Sequence, residues 1–161
     1  MAGTTPLLHE ELTGLIRQTA FETHSYFGPG FLEKVYENAL VNRLRKKGLE
    51  VGQQKQLVVY DEDGTLVGDY YADLLVNDCV VVEIKAAKAF AGEHIAQLLN
   101  YLKATHMSLG LLINFGTGRL EFRRFVLGTL SSVSSACSVA TRLSRDLPPP
   151  PSPRASAAAT P

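Results

Sequence analysis

The 161-residue sequence is poor in cysteine, has no long apolar run and carries no excess of charge of either sign. Its two cysteines, Cys79 and Cys137, are too few for a disulfide framework or a zinc site and read as thiols in a reducing compartment. The longest apolar stretches are about one strand long, far short of the roughly 18 residues that a membrane span needs. Met1 to Glu11 has neither a basic start nor an apolar segment of the secretory kind, so a cytoplasmic protein without membrane attachment is expected. Sixteen Lys and Arg balance sixteen Asp and Glu, which excludes a basic nucleic-acid coat or an acidic solvating chain as the dominant character. Hydrophobic residues make up 45%, enough for one core.

Composition shifts near Gly128. Residues 128–161 hold eight serines and six of the eight prolines, so they bury little and are expected to be disordered, with a polyproline stretch at Pro148–Pro151. Such a tail offers a ligand to a proline-recognising domain, although an inert extension is the simpler reading. Residues 1–127 then form one domain. Apolar spacing predicts helices over about 7–26, 31–47 and 92–104. Gly28-Pro29-Gly30 ends the first and Gly48 caps the second. Strand-like runs occupy Leu57–Tyr60, Tyr70–Val76, Val80–Ile84, Gly110–Phe115 and Leu120–Val126, with turn signals at Asp61–Gly64 and Asn77-Asp78. The order ααβββαββ points to an α/β or α+β sheet with helices packed on it.

Three groups of residues could carry chemistry. Glu83 and Lys85 alternate along one strand with Val82 and Ile84, which gives that strand a charged face and an apolar face. Asp73, on the preceding strand, opposes Glu83 only if paired positions sum to 156. That register requires a three-residue tip, Asn77-Asp78-Cys79, or a bulge; a two-residue tip would set Asp73 opposite Val82 instead. Two carboxylates on one face can bind a hard cation such as Mg²⁺, with a lysine beside them to stabilise charge on a phosphate. A solvated cross-strand Asp–Lys pair explains the same residues without chemistry. On the third helix, His94, Gln97 and Tyr101 form a polar stripe that either lines a site or faces solvent, while Ile95, Leu98, Leu99 and Leu102 pack on the sheet. His94 has no partner at metal-ligand spacing. Glu33 falls in the first turn of the second helix, where it either serves the helix dipole or adds a third acid to the site. Arg43 and Lys46, in a basic run with Arg45 and Lys47, together with Lys88, Lys103 and Arg123, are candidate phosphate contacts. A solvated helix end is the commoner meaning of the basic run.

In combination these segments resemble a known family. Gly30-x-x-Glu33-x-x-Tyr36 matches the signature that names the GxxExxY proteins. Ala72-Asp73-Leu74-Leu75-Val76, Val82-Glu83-Ile84-Lys85-Ala86, His94-Ile-Ala-Gln97-Leu-Leu-Asn-Tyr101 and Gly110-Leu-Leu-Ile-Asn-Phe115-Gly116 resemble it as well, in order, over about residues 7–127. That family is placed in the PD-(D/E)XK nuclease superfamily. The resemblance implies a restriction-endonuclease-like core: a mixed central sheet flanked by helices. It also implies that Asp73 and Glu83 ligate Mg²⁺ or Mn²⁺, that Lys85 is the motif lysine, that Glu33 is the acid of the leading helix, and that Gln97 and Tyr101 form the Gln-x-x-x-Tyr helix motif. Ala72 stands where the superfamily name has proline, which leaves the ligand set intact. The implied reaction is metal-dependent hydrolysis of a phosphodiester, with DNA favoured. The alternative is a module that keeps the fold and binds nucleic acid or protein with little turnover. A second copy of the chain or a larger complex is a further partner class. Residues 1–127 carry 13 basic and 15 acidic residues, a balance that opposes tight non-specific binding through bulk charge but not a nucleic-acid enzyme.

Overall fold

A computed structural model describes residues 9–128. The tail expected from Gly128 onward, with its proline stretch, otherwise lies outside the described residues. The elements are α1 (Glu10–Phe27), α2 (Glu33–Lys46), β1 (Val51–Tyr60), β2 (Leu66–Val76), β3 (Val80–Lys85), α3 (Gly92–Thr105), β4 (Leu109–Asn114) and β5 (Glu121–Val126). The strands form one sheet in the order β1-β2-β3-β4-β5. Only β3 and β4 are parallel, joined through α3, because a parallel neighbour needs a crossover; the remaining pairs are antiparallel. This is the expected mixed sheet with flanking helices. Among the described residues no helix is long and apolar enough to cross a membrane.

Each face of the sheet has its own core. On one, Ile16 and Ala20 of α1 and Tyr36, Leu40 and Leu44 of α2 pack on Leu74, Val76, Val80, Val82, Ile84, Leu111 and Ile113. On the other, Leu98, Tyr101 and Leu102 of α3 pack on Leu57, Ala72, Leu75, Val81 and Leu112. Val81 and Val82 therefore face opposite cores, and both are fully buried, which explains why β3 reads as a continuous apolar run apart from its two charges.

Three local features set up the site. The β2–β3 tip is the three-residue turn Asn77-Asp78-Cys79: Leu74, Leu75 and Val76 pair with Val82, Val81 and Val80, so every pair sums to 156. Asn77 and Asp78 take left-handed dihedrals (φ 49° and 50°), which asparagine and aspartate tolerate better than most residues. Cys79 closes this turn and is not a free thiol, in contrast to the sequence reading. The edge strand β1 begins six residues before the expected Leu57, because Gln53, Gln54, Lys55 and Gln56 are polar but still pair with β2 or flank the pairing. Within it, Gln54 has φ 49°. An undisturbed strand would place Val51 and Leu57 on one face, yet they belong to opposite cores. β1 thus turns over at Gln54, and β2 turns over beside it, since Leu74 and Ala72 also belong to opposite cores.

Candidate active site

β2 and β3 stop pairing where their charged residues begin. The next pair in register beyond Leu74–Val82 is Asp73–Glu83. There the Asp73 carboxylate takes over from the ladder: Oδ2 accepts the Ile84 backbone N–H at 2.8 Å and Oδ1 accepts the Gln54 amide at 3.1 Å. The open register at the strand ends and the turned-over β1 place three functional groups, from three adjacent strands, in one row.

Glu83 points to the α3 side of the sheet and is only 2% exposed. Its Oε1 accepts the Lys85 ammonium at 2.8 Å, two residues along the same face. Its Oε2 is buried and meets no hydrogen-bond donor among the described residues. Burial, then the nearby Asp73 charge, raises the Glu83 carboxyl to about 7, against the pull of Lys85. Burial likewise raises the Asp73 carboxyl from its usual value, although its bonds to Ile84 and Gln54 oppose this. Desolvation works against the charge on Lys85, but the bond to Glu83 and the field of Glu83, Glu33 and Asp73 outweigh it and raise its pKa. Lys85 is therefore an ammonium at neutral pH, suited to stabilising negative charge and not to accepting a proton.

Glu33 reaches the same region from below. It opens α2, and its Oε1 accepts the Ala86 N–H at 3.1 Å, immediately after Lys85. The GxxExxY residues explain this position. Gly30 holds φ 114°, which a side chain would resist. The Tyr36 hydroxyl donates to the Gly28 carbonyl at 2.7 Å and accepts the Phe31 N–H at 3.1 Å. Its ring is fully buried and stacks on Phe115 at 4.7 Å. Tyr36 thus ties the α1–α2 connection to the sheet, and Glu33, one turn earlier, is aimed at the end of β3.

Of the α3 stripe, Tyr101 packs into the core against the sheet, while His94 and Gln97 are half-buried. Tyr101 is 4% exposed, so the solvated-face alternative fails for it, and its hydroxyl accepts the Gln97 amide at 2.6 Å. Leu99, expected to pack on the sheet, is only half-buried, while Leu98 and Leu102 are fully buried. Desolvation raises the Tyr101 phenol, so it is neutral, and its environment includes Glu83, Asp73 and Lys85. His94 serves its own helix: its Nδ1 accepts the Ala91 N–H at 3.2 Å, which caps α3.

The basic candidates divide. Arg123 is in register with Glu83 across β4, through Leu112, on the same face; its guanidinium lies 5.1 Å from the centre of the Phe90 ring. Lys88 is exposed in the loop that leaves β3 just after Lys85. Arg43 and Lys46 are in the last turn of α2, with Lys46 about 20 Å along the helix axis from Glu33. The Arg43 guanidinium covers the Tyr26 ring of α1 at 5.4 Å. Lys103 is exposed in the last turn of α3. The structure brings Glu33, Asp73, Glu83, Lys85, Gln97 and Tyr101 to one region and leaves Arg43, Lys46 and Lys103 at helix C-termini.

Sequence reasoning missed three residues. Gln54 is the second donor to Asp73. Glu37, 4% exposed, is bonded by Lys34 at 2.8 Å and Gln53 at 2.7 Å, and its charge bears on Asp73. Asn114, fully buried at the end of β4, bonds both the N–H and the carbonyl of Ala87 and so fixes the loop after Lys85. At Gly116, next to it, a Cβ would lie 2.5 Å from the Ala86 and Ala87 backbone. One signal was available: Asn114 and Gly116 interrupt an apolar strand exit with residues suited to side-chain–backbone bonds and close approach.

The donor set fits a hard divalent cation. Among the described residues no three His, Cys, Asp or Glu side chains form a complete metal cage. Mg²⁺ does not require one, since it is usually held by one or two carboxylates and keeps several waters. Asp73 and Glu83 supply two carboxylates, and the unpartnered Glu83 Oε2 is an acceptor without a donor.

A mixed sheet whose paired carboxylates and lysine gather where two strands part defines a restriction-endonuclease-like nuclease core. The PD-(D/E)XK nuclease superfamily model PDDEXK_3 matches residues 10–125, and the chain belongs to that superfamily. No curated protein and no solved structure matches the chain.

Proposed function

We propose that this protein is a divalent-metal-dependent phosphodiesterase of the GxxExxY type that hydrolyses nucleic acid, with DNA the favoured substrate and Mg²⁺, or Mn²⁺ in its place, the favoured cation. The observation that carries the reading is buried Glu83 with the half-buried Asp73 next to it in register and Lys85 at its side, one Glu83 oxygen lacking any donor among the described residues. Leaving such an acceptor unsatisfied costs roughly 1–3 kcal/mol, a burden that a stability role does not explain and a cation site does.

Asp73 and Glu83 would hold the cation, which when bound acidifies water and offsets charge on the phosphate and leaving oxygen. Gln54 and the Ile84 N–H hold the Asp73 carboxylate in place. Lys85, kept protonated and anchored by Glu83, presents a positive charge to a bound phosphate. Gln97 and the neutral Tyr101 offer an amide and a hydroxyl on the wall formed by α3. Glu33 restrains the loop after Lys85 through the Ala86 N–H.

The test is cleavage of labelled single- and double-stranded DNA with Mg²⁺ or Mn²⁺, alongside Asp73→Ala and Lys85→Ala. Cleavage by the wild type that requires metal and is lost in both variants supports the proposal. Equal, metal-independent background in all three contradicts it.

A further inference from the structure

The far half of the β1–β2 hairpin carries exposed aromatic surface that the proposed catalytic chemistry does not use. Tyr60, Tyr70 and Tyr71 are 47%, 41% and 52% exposed. Tyr70 differs from the other two in its neighbour: its ring meets the Tyr101 ring at a centroid distance of 5.4 Å, tilted by 50°. Tyr101 is the buried phenol bonded to Gln97, with Asp73, Glu83 and Lys85 in its field. Tyr70 also precedes Asp73 by three residues on β2, about 10 Å along the strand. An exposed ring is therefore held on the α3 side of the sheet, one short stretch of strand from Asp73.

Two observations select the ligand. An exposed aromatic ring recognises a flat partner by stacking, and a base offers one only when it is unpaired. The chain also lacks the basic surplus with which a protein grips duplex through phosphates alone: residues 1–127 carry 13 basic and 15 acidic residues. Affinity must come from a less charge-dependent source, and stacking is one. We infer that Tyr70 is a base-stacking residue that gives the site a preference for single-stranded nucleic acid or unpaired ends, with a base next to the reacting phosphate seated on its ring. The inference rests on the nuclease reading for its location, but the binding step stands without turnover.

The experiment measures binding and cleavage separately. Fluorescence anisotropy with a labelled single-stranded oligonucleotide and the matching duplex is read in EDTA, for wild type, Tyr70→Ala and Tyr70→Phe. Tyr70→Ala is expected to weaken single-strand binding about tenfold, in the range that loss of one base–aromatic stack spans, while Tyr70→Phe retains it. Duplex binding should be weaker in the wild type and unchanged in both variants. In the cleavage assay Tyr70→Ala should raise KM for single strands with kcat near the wild-type value. Tyr70-dependent single-strand binding without any cleavage upholds the inference and defeats the nuclease reading. Cleavage with no response to Tyr70→Ala, an equal loss on duplex, or no single-strand binding by the wild type overturns the inference.

Discussion

The two ends of the β2–β3 hairpin are built from the same strands and do opposite things. At the turn end, Leu74 to Val76 and Val80 to Val82 pair in unbroken register, and all six side chains lie in the two cores. One pair further on, pairing stops, Asp73 takes the Ile84 N–H with a carboxylate, and Glu83 is buried with an unpartnered oxygen. The closed end, with three register pairs and six core side chains, stabilises the fold. The open end keeps like charges close together in a poorly solvated place, which Lys85 offsets only in part and which opposes folding unless a further cation joins them. The arrangement shows how a small sheet can combine rigidity with reactivity: the register held by the turn positions the carboxylates that the sheet itself does not need.

The largest effect expected at the open end is on activity. Asp73→Ala and Lys85→Ala should each lower metal-dependent cleavage at least about a hundredfold, with circular dichroism like that of the wild type. The closed end should respond in the other currency. Leu74→Ala removes a fully buried side chain and should destabilise by about 2–5 kcal/mol in urea unfolding.

A third change should separate the two ends by sign. With its folded pKa raised to about 7 from an ordinary 4.5, Glu83 takes up a proton more readily when folded. Its contribution to stability is fully present below the unfolded pKa and is lost as pH rises through about 7. Metal-free Glu83→Gln should therefore be more stable than wild type at pH 8, by roughly 1–3 kcal/mol, with the gain vanishing near pH 4. A Glu83→Gln protein less stable than wild type at pH 8 would show that Glu83 stabilises the fold in its charged form. An effect of similar size is expected at the α1–α2 connection. Tyr36→Phe removes two hydrogen bonds while keeping the stack on Phe115, and should cost about 1 kcal/mol each, read as a lower unfolding midpoint.

Much of this frame was legible in the residues. Val82 and Ile84 alternating with Glu83 and Lys85 gave both faces of β3, and the need to set Asp73 beside Glu83 required the three-residue tip found at Asn77-Asp78-Cys79. Alternation is a local property, so it survives without knowledge of the fold. The polar start of β1 was not legible, because an edge strand needs only one pairing partner and tolerates glutamine and lysine. Nor was the burial of Glu37, which depends on Gln53 across a chain separation of 16 residues. The α3 stripe was read as one face of a helix, but local spacing cannot say which face the sheet covers. Gln54 escaped notice because its role lies in an unusual backbone angle, which glutamine does not signal.

Calorimetric titration of Mg²⁺ into the metal-free protein at pH 8 tests most directly that the open end is a cation site. Saturable binding by the wild type, abolished by Asp73→Ala and weakened by Glu83→Gln, is the predicted result. No saturable heat from folded wild type, or binding that both variants retain, would contradict it.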